Sequence, residues 1–251
     1  MNDRLENGAL AALLVLTLVL VGFSLRSRGP EAAAPQTSAS TTPSMTTAPS
    51  PSSSASSTTG AGSVVFLGDS VAEGRSATTR AKRWTSLVAA DLGLKEVNLG
   101  HARTGYLRKG SEGSCGDAAC PNFEGMVDEV VRAKPSAVVV TGGGNDAGLP
   151  AEDFSQAVSD TLGDLRKALP QAKIYVVNPW WDLRPVPESL TAQTSAVRAA
   201  ATAAGVTYLD TKQPLVDQPE LMVAGGTNPN DAGHAALAKV VSEAIGQTST
   251  G

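Results

Sequence analysis

Between Ser63 and Ile245 the chain predicts an α/β domain: a three-layer sandwich in which a five-stranded parallel sheet carries helices on both faces. Two observations predict it. Short apolar, β-branched runs alternate five times with longer helical patterns, which is the signature of repeated strand–helix units. The strands also read as continuous apolar runs, such as Val138-Val139-Val140, rather than as alternating ones, so both faces of the sheet should be covered.

Taken in order, the units are SVVFLG with TTRAKRWTSLVAADLG, KEVNLG with NFEGMVDEVVRAK, SAVVVTGG with AEDFSQAVSDTLGDLRKALP, AKIYVVNP with PESLTAQTSAVRAAATAAG, and VTYLD with NDAGHAALAKVVSEAIG. In a parallel sheet of this kind, ligands bind outside the carboxyl ends of the strands. The polar residues gather there: GDS after strand one, NLGHARTG after two, TGGGND after three, NPWWD after four, and GGTNPND in the last connection.

The 251 residues divide by composition into four segments: 1–26, 27–62, 63–247 and a short tail, 248–251. Residues 9–25 form an uncharged apolar run of 17, which at about 1.5 Å per residue just reaches across a membrane core. The first segment is expected to be a single-pass anchor, the alternative being a signal peptide with cleavage near Ala32-Ala33-Ala34 and secretion. Arg26 and Arg28 follow the run while Arg4 precedes it, which by the positive-inside rule points the C-terminal side toward the cytoplasm. Two other features outweigh that. Residues 27–62 are nearly all Ser, Thr, Pro, Ala and Gly, the composition of a disordered extracytoplasmic stalk. Cys115 and Cys120, the only cysteines, have four residues between them in a Gly/Ser-rich loop, where a disulfide is favoured over a metal pair because Zn needs about four ligands. The domain is therefore expected outside the membrane.

A net charge of −4 argues against a nucleic-acid binder. The basic residues are nonetheless uneven: Arg75, Arg80, Lys82, Arg83, Arg103, Arg108 and Lys109 fall within 35 residues. Either they form a solvated surface or they face an anionic substrate.

Ser70 follows VVFL directly, on a tight turn between a strand and a helix, where a hydroxyl is exposed and nearby N–H groups can stabilise an oxyanion. Taken alone, such a Ser is more often a helix cap. VVFLGDS, NLGHARTGY and TGGGND, in that order at successive strand ends, resemble the SGNH (GDSL-type) hydrolase family over about Ser63 to Ile245. The resemblance implies a flavodoxin-like sandwich and a serine ester hydrolase or acyltransferase without metal or organic cofactor. Ser70 would be the nucleophile, and Gly100 N–H and the Asn145 amide would complete an oxyanion hole with the N–H of Ser70. It further implies an acylated small molecule, glycan or lipid of the cell envelope as substrate.

The last block of that family reads Asp-x-x-His, then Pro-Asn, then Gly-His or Gly-Tyr. Pro229-Asn230 and Gly233-His234 occupy the later places here, so the histidine slot holds Asn228 and its acid slot Gly225. Asp231-Ala-Gly-His234 repeats the spacing inside the last helix and is expected to lie too far along it to reach Ser70. A serine without a base is a poor nucleophile. His234 with Asp231, and His101 beside Gly100, are the remaining candidates for a base, each more simply read as structural. The rival to an enzyme is thus a catalytically impaired module that binds an envelope glycan or acyl ligand. Trp180 and Trp181 either line a substrate pocket or cap the sheet edge.

Overall fold

A computed structural model describes residues 62–248. The apolar run and the stalk, residues 9–25 and 27–61, lie outside the described residues, among which no helix is long and apolar enough to cross a membrane.

The five strands are β1 (Ser63–Gly68), β2 (Lys95–Gly100), β3 (Ala137–Thr141), β4 (Lys173–Val177) and β5 (Thr207–Leu209), all parallel, in the order β2-β1-β3-β4-β5. The helices are α1 (Ser70–Glu73), α2 (Trp84–Asp91), α3 (Val127–Arg132), α4 (Ala151–Ala168), α5 (Ser189–Ala204) and α6 (Asp231–Thr248). The expected α/β sandwich is thus observed, with 3-10 turns where the sequence suggested longer helices, at Arg80–Lys82 before α2 and Glu124–Met126 before α3.

Successive residues of a strand point to opposite faces, and the two cores follow that rule. Val65, Leu67, Val138, Val140, Ile174 and Val176 pack against α3, α4 and α5. Val64, Phe66, Val139, Tyr175 and Val177 pack with Trp84 and Val88 of α2 and Leu237, Val241 and Ile245 of α6. On α4 the buried residues Phe154, Ala157, Val158, Thr161, Leu162 and Leu165 recur at the spacing of one helical face. Burying each large side chain of this kind stabilises by about 1.5–3 kcal/mol.

The strand order reverses between β1 and β3, whose connections leave the sheet in opposite directions and open a crevice at their carboxyl ends. Gly68 closes one wall of it. A Cβ there would run into the Thr141 carbonyl and the Ala72 side chain, so only glycine lets α1 fold back over the end of β1.

Candidate active site

Ser70 is the first residue of α1. Asp69 caps the helix, its Oδ1 accepting the Val71 N–H at 2.9 Å, and the Ser70 carbonyl accepts the Arg75 N–H at 3.0 Å. Desolvation pushes the Asp69 carboxyl up to about 6, with the charge of Asp146 adding to it.

Asn145 lies in the 3-10 turn Gly144–Asp146 after β3. One hydrogen of its amide goes to the Thr104 carbonyl at 2.8 Å, which leaves the second amide hydrogen to donate elsewhere. Its own carbonyl accepts Arg108 Nε at 2.6 Å. Asp146, fully buried, accepts the N–H groups of Tyr106 (2.8 Å), Leu107 (3.3 Å) and Arg108 (3.0 Å), binding the β2 loop to the β3 loop. Sequence reasoning missed this role, although the TGGGND stretch contains the residue. A buried carboxylate two strands away from its partners leaves no spacing signal.

The cleft between these loops has two compartments. The inner one, about 60 Å3, is bordered by Asp69, Ser70, Val71, Gly144, Asn145, Trp180, Trp181, Asp182, Arg184, Leu215 and Thr227. The outer one, about 650 Å3, is bordered by Ser70, Arg75, Arg103, Ser111, Glu112, Ser114, Asn145, Arg184, Thr227 and Asn228, among others. Ser70, Asn145, Arg184 and Thr227 border both and so mark the passage between them. Trp180 and Trp181 border the inner compartment, and Trp180 also packs into the core. Trp180 donates from Nε1 to Thr211 Oγ1 at 2.8 Å and packs edge-on against Trp84, and Trp181 donates from Nε1 to the Arg184 carbonyl at 3.0 Å.

Gly100 departs from its expected role. Its N–H donates to Asn98 Oδ1 at 2.8 Å, and it is not among the residues lining the cleft. A Cβ on it would run into the backbone of Ala72 and Glu73, so Gly100 is glycine because α1 rests on it. Arg103 of the same loop does border the cleft, with a left-handed φ of 67°. That conformation costs a non-glycine residue about 1 kcal/mol. No hydrogen bond from the Arg103 N–H is made within the described residues.

Neither histidine lines the cleft. His234 is fully buried: Nδ1 accepts the Trp84 N–H at 3.4 Å and Nε2 donates to the Arg75 carbonyl at 3.0 Å. Burial holds its pKa below the ordinary histidine value, which agrees with the neutral tautomer those partners require. It sits in the first turn of α6, earlier than expected, since the helix begins at Asp231. Asp231 does not pair with it. It accepts from Lys82 Nζ (2.7 Å), Thr78 N–H (2.8 Å) and Thr78 Oγ1 (2.7 Å), and these bonds, Lys82 first, pull its pKa down to about 2. Asp231 and His234 are therefore two latches that hold the 75–84 segment against α6. His101 donates its N–H to the Gly68 carbonyl at 2.9 Å and turns Nδ1 to within 3.8 Å of Cys115 Sγ, and it does not line the cleft.

Cys115 and Cys120 form a disulfide with an S–S distance of 2.10 Å. Together with His101 they lie within 4.8 Å of one another, but two sulfurs bonded to each other are not the thiolates a metal needs. Asn228 borders the outer compartment with its Oδ1 buried and without a hydrogen-bond partner. Gly225, at φ 64°, is exposed in the turn that returns to Asn228. The basic residues divide: Arg80 pairs with Glu96 and Lys82 with Asp231 on the surface, while Arg75, Arg103 and Arg184 border the cleft.

Residues 66–236 match the profile of the GDSL-like lipase/acylhydrolase family. A GDSL lipase of Mycobacterium tuberculosis is 31% identical over 193 residues, covering 72% of this chain and 80% of that one. Among solved structures, an inhibitor-bound aryl esterase of M. smegmatis superposes with a TM-score of 0.60 at 15% identity, over 74% of this chain and 99% of that one. A carbohydrate acetylesterase from Sinorhizobium meliloti gives 0.58 at 16%, over 74% and 99%. At such identities these two likenesses speak for the fold alone.

Proposed function

Since the chain belongs to the GDSL-like lipase/acylhydrolase family, we propose that it is a serine hydrolase of short-chain O-acyl esters that turns over slowly because it lacks a histidine base. The observation that carries this reading is the passage between the compartments: Ser70 and Asn145 border both, so an ester seated there has its acyl group inside and its alcohol outside. The inner compartment has room for roughly two to four heavy atoms, the size of an acetyl group.

In this reading Ser70 Oγ attacks the ester carbonyl carbon. The carbonyl oxygen takes up negative charge and is met by the free amide hydrogen of Asn145, the Ser70 N–H and the Arg103 N–H, the last in the place first assigned to Gly100. The alcohol leaves with a proton, and water then hydrolyses the acyl-serine. The Ser70 proton passes to water, because Asn228 has no basic nitrogen, His234 is bonded at both ring nitrogens and His101 does not line the cleft. Oxyanion stabilisation and binding alone still leave about 10³–10⁴-fold over water in a serine hydrolase without its triad.

A fluorophosphonate tests this. Slow phosphonylation of Ser70, located by mass spectrometry and absent from Ser70→Ala, is expected. A folded chain that stays unlabelled would favour the second reading, an ester-binding module without turnover, for which the Gly225 and Asn228 substitutions speak.

The setting we propose is the outer face of a cell membrane, with residues 9–25 as the anchor and an envelope glycan or lipid ester as substrate. The Cys115–Cys120 bond supports an oxidising compartment. Protease added to intact cells should clip the domain from its stalk, whereas protection until lysis would reverse the topology.

A further inference from the structure

We propose that the outer compartment recognises an oxyanion on the alcohol side of the ester, so that the substrate is an acylated acidic sugar, or a similar acid, rather than a neutral one. This rests on the esterase reading for the word substrate, but the binding it asserts does not need turnover.

The chain carries a net charge of −4, yet three guanidinium groups, Arg75, Arg103 and Arg184, border this one compartment; Arg75 pairs with Glu73 and Arg184 with Asp182, while Arg103 has no carboxylate partner among the described residues. An unpaired guanidinium on a cavity wall favours an anion within it. Arg184 is fixed for such a role. Its Nε reaches Asp182 Oδ1 at 2.9 Å and Oδ2 at 3.0 Å, and its Nη2 reaches Oδ2 at 2.8 Å. Its guanidinium carbon also lies 4.5 Å from the Trp181 ring centroid. Those bonds use one edge of the guanidinium, and of its five N–H groups the Nη1 pair and the second Nη2 hydrogen are left to donate. Asp182 is buried behind it, so the planar fork is held in place before any ligand arrives.

Arg103 has no carboxylate within ion-pair distance among the described residues, although its neighbours in sequence space, Arg75, Arg80 and Lys82, each have one. It is held at the left-handed φ of 67° in the loop beside Ser70. A bulky residue kept in that conformation, with an unpaired charge at a cleft, suits a ligand contact better than a fold contact.

Around the arginines the wall is neutral and hydrogen-bonding: Ser111, Ser114, Thr227 and Asn145. Asn228 completes this wall as a further neutral side chain. Guanidinium forks for an oxyanion and neutral acceptors for hydroxyls are together the complement of a uronic acid or a sugar phosphate.

The test uses the full-length chain in detergent carrying Ser70→Ala, with binding of D-glucuronate, D-glucose 6-phosphate and D-glucose followed by calorimetry. Charge-assisted hydrogen bonds are worth about 1.5–3 kcal/mol each, so one or both acids should bind about 10- to 100-fold more tightly than glucose. Which acid binds identifies the oxyanion as carboxylate or phosphate. The preference should fall about tenfold in Arg184→Gln and in Arg103→Gln, and should weaken with salt. If Arg184→Gln does not fold, Arg103→Gln carries the test, since it breaks no ion pair of the native structure. Equal affinity for glucose and both acids would overturn the proposal, as would a preference that survives the arginine replacements. Failure of fluorophosphonate labelling would leave this binding untouched, whereas labelling without acid preference would leave the esterase reading standing alone.

Discussion

Gly225→Asp together with Asn228→His should raise kcat/KM for a short-chain aryl ester by about 10²–10⁴, the usual worth of general-base assistance. Asn228 borders the same compartment as Ser70, so the replacement places an imidazole on the wall of the cleft. Gly225 is exposed, with nothing within 4 Å of where its Cβ would lie, so aspartate meets no clash. The left-handed φ of 64° costs the new residue about 1 kcal/mol, and Asp is among the side chains that bear it best. The gain should come with a new inflection in the pH–rate profile near the ordinary histidine pKa of about 6.5, with activity held above it, where the imidazole is neutral and accepts the serine proton. An unchanged rate in a folded double variant that still reacts with fluorophosphonate would show that these two positions are not the dyad slots.

His234→Ala should do the opposite: destabilise the domain while leaving hydrolysis per folded molecule unaltered. The replacement strands the buried Trp84 N–H, removes the partner of the part-buried Arg75 carbonyl and leaves a cavity where the ring was. The cost should be about 2–4 kcal/mol, which for a domain of this size lowers the melting temperature by roughly 5–15 °C. Calorimetry, combined with rates corrected for the folded fraction, separates the two effects. A variant that melts normally but has lost all activity would make Asp231-Ala-Gly-His234 the working dyad after all.

The sequence by itself determined the parts of this protein that depend on neighbouring residues. Short apolar β-branched runs bounded by turn residues read as buried strands, and the stripe Phe154–Leu165 reads as one face of a helix, so layer order and the crevice at the strand ends were readable in advance. The positions of Ser70 and Asn145 after strand ends were readable too, and the roles expected of them came from the resemblance of VVFLGDS and TGGGND to a known family. The bond between Cys115 and Cys120 was equally local, closed across four residues.

What only the tertiary structure decided are the contacts between segments far apart in the chain. Gly100 looked like a donor because it ends a strand beside the site. It is instead the floor under α1, its N–H taken by Asn98 and its missing Cβ required by a helix 27 residues earlier. His234 is tied to Arg75 and Trp84, 159 and 150 residues away, and Asp231 to Thr78 and Lys82, 153 and 149 away. Asp–x–x–His spacing is the same in a dyad and in two unrelated latches, because sequence records the interval between two side chains and not the direction in which either hydrogen bond points. Likewise the three arginines of the outer compartment come from the α1–α2 connection, the β2 loop and the β4 loop, and their common cavity exists only once the sheet has brought those loops to one edge.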